Sequence, residues 1–153
     1  MKLLTFQVPG EPTGKGRPRF RSAGKFVQTY TPAKTRSYET LVQTCFSGQC
    51  GRDAEGYFGT GEPVYVTVYA YYGIPKSAPK KRREAMLAGE EQPTKKPDLD
   101  NVLKALLDPL IGLAFSDDSQ VVGMDAIKLY SDEPHVTVIL SDSPYQGGEE
   151  QQA

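Results

Sequence analysis

The sequence has only two cysteines, Cys45 and Cys50, and one histidine, His135. Two cysteines five apart, expected on one helix, make neither a disulfide framework nor a zinc motif, and they fit a reducing cytoplasm as structural residues. No run of about 18 apolar residues occurs, which argues against a membrane span. The opening Met1–Phe6 meets Gln7 and Pro9 too early to hold the apolar stretch of a secretory signal. His135, near the start of an expected strand, reads as a surface residue rather than a ligand. Internal repeats are also missing. With 153 residues, 38% hydrophobic and 24% charged, the chain suits one soluble domain around one core.

An excess of either charge is missing too, since the net charge is −1, but the charges are unevenly laid. Residues 1–40 carry eight Lys or Arg against Glu11 and Glu39, and residues 76–96 carry seven more against three Glu. From Pro97 onward there are eleven Asp or Glu and only Lys104 and Lys128. A protein that grips a polyanion with one surface and gathers cations with another has this asymmetry, although charge also clusters on plain solvated faces.

The coarse order of elements is βαβ(α)αββ. A first strand is expected over Lys2–Val8, stopped by Pro9-Gly10-Glu11-Pro12. The basic, glycine-rich Thr13–Phe20 follows, with a short extended piece over Phe26–Tyr30. Thr31-Pro32 reads as cap and first turn of a helix to about Phe46, with an apolar stripe of Leu41, Val42, Cys45 and Phe46. Ser47–Gly61, holding five glycines, reads as loop. Val64–Tyr72 alternates as a strand, with Val64, Val66, Val68 and Ala70 on one side and Tyr65, Thr67, Tyr69 and Tyr71 on the other. The tyrosines fill the second sheet face or a dimer interface, or stack on bases. A basic helix opens at Ser77-Ala78-Pro79 and closes at Gly89; another spans Leu99–Leu107. Final strands are expected at Val121–Tyr130 and His135–Leu140. The sum is an α+β fold: one domain over residues 1–143, helices on one face of a mixed, mostly antiparallel sheet, and a polar tail over 144–153 expected to fray.

The most informative stretch is Lys95-Lys96-Pro97-Asp98-Leu99-Asp100-Asn101-Val102-Leu103-Lys104, ending at Asp108. Pro97 keeps its predecessor out of helical geometry, so the helix starts at the Asp pair, where its dipole favours negative charge. Asp100, Lys104 and Asp108 share one face at i, i+4 and i+8. The bland alternative is that Asp98 only caps and that Asp100–Lys104 is a surface pair worth about 0.3–0.5 kcal/mol. A second acidic pair, Asp117-Asp118, precedes the strand at Val121; Asx-turn residues are the plain reading there. If that strand lies beside the helix start, Asp118 converges with Asp98 and Asp100. Three or four carboxylates without His or Cys form a hard-oxygen site suited to Mg²⁺ or Mn²⁺.

Taken together, Lys96–Lys104, Asp108, Asp117–Val122 and the opening Gly14-Lys15-Gly16-Arg17-Pro18-Arg19 resemble the signature of RusA-type Holliday junction resolvases, over roughly Leu3–Leu140. The resemblance implies that Asp98, Asp100 and Asp118 bind a catalytic Mg²⁺, with Mn²⁺ able to substitute. It implies that Lys104 is catalytic or stabilises the transition state, and that the protein is a homodimer cutting four-way junctions symmetrically. Asp108 matches the last acidic position of the motif, although Pro109 ends the helix there and can displace it. Lys15, Arg17, Arg19 and Arg21 are expected to contact the DNA backbone, their glycine neighbours permitting close approach. The alternatives are a non-catalytic branched-DNA-binding module, a Mg²⁺ nuclease acting on forks or flaps, and a structural interaction protein. The last leaves the Asp pairs unexplained.

Overall fold

The computed structural model describes residues 1–16, 19–24, 26–30 and 32–145. In chain order the elements are β1 (Leu3–Pro9), β2 (Arg19–Ala23), β3 (Phe26–Tyr30), α1 (Ala33–Cys50), β4 (Val64–Gly73), α2 (Lys80–Leu87), α3 (Leu99–Leu107), β5 (Val121–Ser131) and β6 (His135–Ser141). Four strands form one sheet in the order β1-β6-β4-β5, and β2 and β3 form a separate antiparallel hairpin. The β1–β6 and β6–β4 pairs are antiparallel, while β4 and β5 run parallel, so the sheet is mixed and mostly antiparallel. The fold is α+β, as expected.

The period-two alternation of β4 sorts its side chains by face. Val64, Val66, Val68, Ala70 and Tyr72 enter the main core with Phe6, Val8, Val136, Val138 and Leu140. Helices α1 and α3 bring Tyr38, Val42 and Phe46, and Val102, Ala105 and Leu106, to the same core. On the other sheet face Tyr69, Tyr71 and Ile139 form a small buried cluster of their own. Tyr69 and Tyr71 are 4% and 1% exposed, so they fill the second face and are not presented for stacking on bases. Tyr145, placed in the expected tail, packs against this cluster. Residues 146–153 of that tail lie outside the described residues.

Local readings change at α1 and β2. Helix α1 runs past Phe46 to Cys50, through the first residues of the expected loop. Gly48 costs the helix about 1 kcal/mol relative to Ala, but tertiary bonds outweigh it: the Gln49 side chain donates to the Gln7 carbonyl at 2.7 Å and accepts from the Gln7 amide at 2.8 Å. Those bonds also cover the open edge of β1. The buried stripe of α1 is Thr35, Tyr38, Val42 and Phe46, whereas Leu41 and Cys45 are only partly buried. Pro32 stands at the cap position and the helix begins at Ala33; Thr31, the expected cap, lies outside the described residues. The strand β2 occupies a stretch read as irregular, because basic residues there hide any apolar alternation. Among the described residues no helix is long and apolar enough to cross a membrane.

Candidate active site

Asp98 occupies the N-cap position of α3, yet its side chain makes no capping hydrogen bond; only its carbonyl takes part, accepting from the Val102 amide at 3.0 Å. The turn before it is held from two sides. The Tyr72 hydroxyl donates to the Pro97 carbonyl at 2.6 Å, and the Lys128 ammonium donates to the Lys95 carbonyl at 2.7 Å while lying 5.0 Å from the Tyr72 ring centroid. Burial, with the negative charges of Glu11 and Asp98 nearby, pushes the Tyr72 hydroxyl up to about 12. It therefore stays a donor at neutral pH. Neither Tyr72 nor Lys128 was singled out in the sequence; their roles depend on long-range pairing.

The second acidic pair divides its work. Asp117 caps a short 3-10 turn over Asp118–Gln120, its carboxylate accepting from both the amide and the hydroxyl of Ser119. These bonds, the Ser119 hydroxyl first, hold the Asp117 carboxyl below its ordinary value. Gln120 completes a capping box and is 6% exposed. Its side-chain oxygen accepts from the amides of Ser116 and Asp117, at 2.8 and 3.0 Å, and its nitrogen donates to the carbonyls of Gly59 and Glu62, at 2.8 and 3.0 Å. The Asp-x-x-Gln spacing is the sequence signal for this motif. With Asp117 engaged, Asp118 keeps an exposed carboxylate with no hydrogen bond or ion pair among the described residues.

Asp100, Lys104, Asp108 and Asp118 line one cavity of about 330 Å³ between α3 and the start of β5. Leu107, Phe115 and Met124 supply apolar wall. Asp100 and Lys104 make no ion pair with each other or with any group among the described residues, so the surface-pair alternative is not what the structure adopts. Asp98 does not join them. It lines a separate cleft of about 360 Å³ with Lys15, Lys34, Lys96 and Asn101. Among the described residues no group of three His, Cys, Asp or Glu side chains is already drawn together at metal-binding distance. Among the described residues Asp100 and Asp118 are nonetheless unpaired carboxylates from two elements on one cavity without His or Cys in its wall, a donor set that fits a hard divalent cation.

The basic segment is docked on the protein at its start. Lys15 forms an ion pair with Asp108 and lies 3.6 Å from Glu39, so Asp108 is displaced from the metal donors in bonding although it stays on the cavity wall. Gly14 and Gly16 permit close approach to the protein's own helices. A Cβ at Gly14 would stand 2.9 Å from the Pro97 Cβ, and one at Gly16 2.8 Å from the Thr35 hydroxyl oxygen. Arg19 and Arg21 stand on β2, in register with Tyr30 and Gln28, and Arg17 lies outside the described residues. His135 is stacked on Tyr71, with ring centroids 4.3 Å apart, and is remote in bonding from the acidic cavity.

The chain is similar to the uncharacterized protein YqaN of Bacillus subtilis (strain 168), with 37% identity over 144 residues that cover 93% of this chain and 98% of that protein. Residues 9–141 match the family described as Endodeoxyribonuclease RusA, a span that holds both acidic pairs, Lys104 and the docked basic segment. On that match, the chain belongs to the RusA endodeoxyribonuclease family.

Proposed function

We propose that this protein is a divalent-metal-dependent endodeoxyribonuclease that resolves four-way DNA junctions by paired, symmetric phosphodiester hydrolysis, as a homodimer serving DNA recombination and repair. The observation that carries the reading is the pair of unpartnered carboxylates, Asp100 and Asp118, on one cavity with Lys104. Asp98, Asp100 and Asp118 would hold Mg²⁺, or Mn²⁺ in its place, through oxygen alone. The bound ion supplies the two things hydrolysis needs, an activated water and neutralisation of developing charge.

The remaining work falls to the protein's own residues. Lys104, one turn beyond Asp100, presents its ammonium to the scissile phosphate. Leu107, Phe115 and Met124 supply apolar surface beside this charge. Arg17, Arg19 and Arg21 contact phosphates outside the cleavage position, which fixes register and recognises shape rather than sequence. A dimer brings two such sites to opposite strands, as symmetric cutting requires.

The test is cleavage of a labelled four-way junction in Mg²⁺, with linear duplex as control. Paired nicks in the junction by the wild type, lost in Asp100→Asn and in Asp118→Asn, are expected. Junction binding without cutting in either Mg²⁺ or Mn²⁺ would overturn the enzymatic reading in favour of a binding module.

A further inference from the structure

Lys15 is the first basic residue of the segment that leads into the β2–β3 hairpin, and the structure holds it inward. Its ammonium is paired with Asp108 at the end of α3 and lies 3.6 Å from the Glu39 carboxylate on α1. The pairing raises the lysine above its ordinary range, through the Asp108 hydrogen bond first, against the opposing effect of partial burial. Its backbone is held as well. The Lys15 amide donates to the Asn101 carbonyl at 3.1 Å, and the Gly16 amide donates to the Thr35 hydroxyl at 2.9 Å. One glycine on each side, Gly14 and Gly16, lets the segment approach both helices closely. The segment is therefore clamped to the same helix that carries Asp100 and Lys104, just before it leaves for the hairpin.

We propose that Asp108 is a positioning residue: with Glu39 it clamps Lys15, and Lys15 acts as an internal tether that sets where the basic hairpin departs relative to the acidic cavity. Asp108 then works through the arm and not as a metal ligand, and Lys15 is not one of the phosphate contacts. A tether of this kind serves junction geometry. It holds the arm's phosphate contacts at a fixed offset from the cleavage position, so its loss loosens substrate placement while leaving Asp100, Lys104 and Asp118 intact. The catalytic consequence rests on the nuclease reading above; the clamp itself does not.

Two measurements separate these roles. The first is amide hydrogen exchange on the free protein, comparing wild type with Lys15→Met, Asp108→Asn and the conservative Lys15→Arg. Protection of the Lys15 and Gly16 amides should fall about two- to fivefold in Lys15→Met and in Asp108→Asn, the scale of a partly exposed ion pair, and be retained in Lys15→Arg. Amides of β6 serve as the folding control. Unchanged protection at both amides would overturn the tether.

The second is junction cleavage by the same proteins. Lys15→Met and Asp108→Asn should each raise KM by about two- to fivefold with kcat retained, and Lys15→Arg should leave it near the wild-type value. If instead Lys15→Met lowers the slope of binding against log salt by about one while Asp108→Asn leaves KM unchanged, Lys15 is a phosphate contact and the proposal fails. A loss of kcat at unchanged KM in Asp108→Asn would make Asp108 catalytic and would also overturn it. Should the wild type cut no junction, the nuclease reading fails, and hydrogen exchange still decides the tether.

Discussion

Replacing Gln120 by Ala should unseat Asp118 without touching it. The Gln120 side chain makes four hydrogen bonds, two accepted and two donated, and ties the Ser116–Asp118 turn to the Gly59–Glu62 loop. A net hydrogen bond contributes about 0.5–1.5 kcal/mol, and groups left unpaired where water cannot reach cost more. Ser116 and Asp117 are exposed, so water can satisfy their amides in the variant, whereas the Gly59 and Glu62 carbonyls faced a 6% exposed side chain. The expected loss is about 2–3 kcal/mol, most of it from the donating end. Urea unfolding should show a lower midpoint at unchanged slope, because the amount of surface exposed on unfolding is the same. Asp117→Ala, which removes only the cap, should lower the midpoint by less than Gln120→Ala does. Metal titration of the folded variant should then show weaker Mg²⁺ binding than wild type, since the turn that presents Asp118 has lost its anchor. A Gln120→Ala variant within about 0.5 kcal/mol of wild type, the scatter of ordinary surface substitutions, would refute the claim that this side chain organises the turn.

Three further outcomes follow from bonds elsewhere in the fold. Tyr72→Phe removes the 2.6 Å bond to the Pro97 carbonyl and should cost about 1 kcal/mol. Because the folded Tyr72 hydroxyl is raised to about 12 from an ordinary value near 10, its contribution is full below pH 10 and lost as the pH rises from 10 to 12; the phenylalanine variant should show a shallower alkaline fall in that window, measured by melting temperature against pH. Gly14→Ala places a Cβ 2.9 Å from that of Pro97 and 3.3 Å from that of Asn101, and overpacking of this kind should cost about 1–3 kcal/mol in thermal unfolding and shift the loop against α3. Gln49→Ala uncovers the amide and carbonyl of Gln7 on an edge strand, and light scattering on heating should show earlier self-association than in wild type.

The parts that were legible from sequence are those where a local signal and the tertiary context agree. Pro97 followed by Asp98 marks the start of α3 because a proline restricts its predecessor and an Asp suits the cap; the helix spans Leu99–Leu107 as the apolar spacing requires. Alternation in Val64–Tyr72 gave both faces of β4 correctly, since one face meets the helices and the other the Tyr69–Tyr71–Ile139 cluster. What was not legible depends on partners far away in the chain. The last turn of α1 rests on Gln49 meeting β1, and the fate of Lys15 rests on Asp108, 93 residues later. No window of local sequence contains either fact. The glycines at 14 and 16 carried a true signal of close approach, but which surface they approach is set by where the loop lands.

The separation of Asp98 from Asp100 follows from where each stands on α3. Residues two apart in a helix interior are turned by about 200° and face opposite sides. Asp100 lies within α3 and is committed to the cavity shared with Lys104 and Asp118. Asp98 sits at the cap with extended backbone, φ −65° and ψ 149°, and its carboxylate is tied to no capping bond. In a helix interior the two carboxylates would be held apart by the intervening backbone. At the tip, no helical turn stands beyond Asp98 to hold its side chain away from that of Asp100. Were Asp98, Asp100 and Asp118 to hold one Mg²⁺ as proposed, the Asp98 carboxylate would have to leave the cleft it lines, while Tyr72 and Lys128 keep the backbone of the turn in place. On the proposed metal site, the cap position is what would let a rigid helix offer two carboxylates to one ion, and moving the pair a single turn into α3 should abolish Mg²⁺ binding even with both aspartates kept.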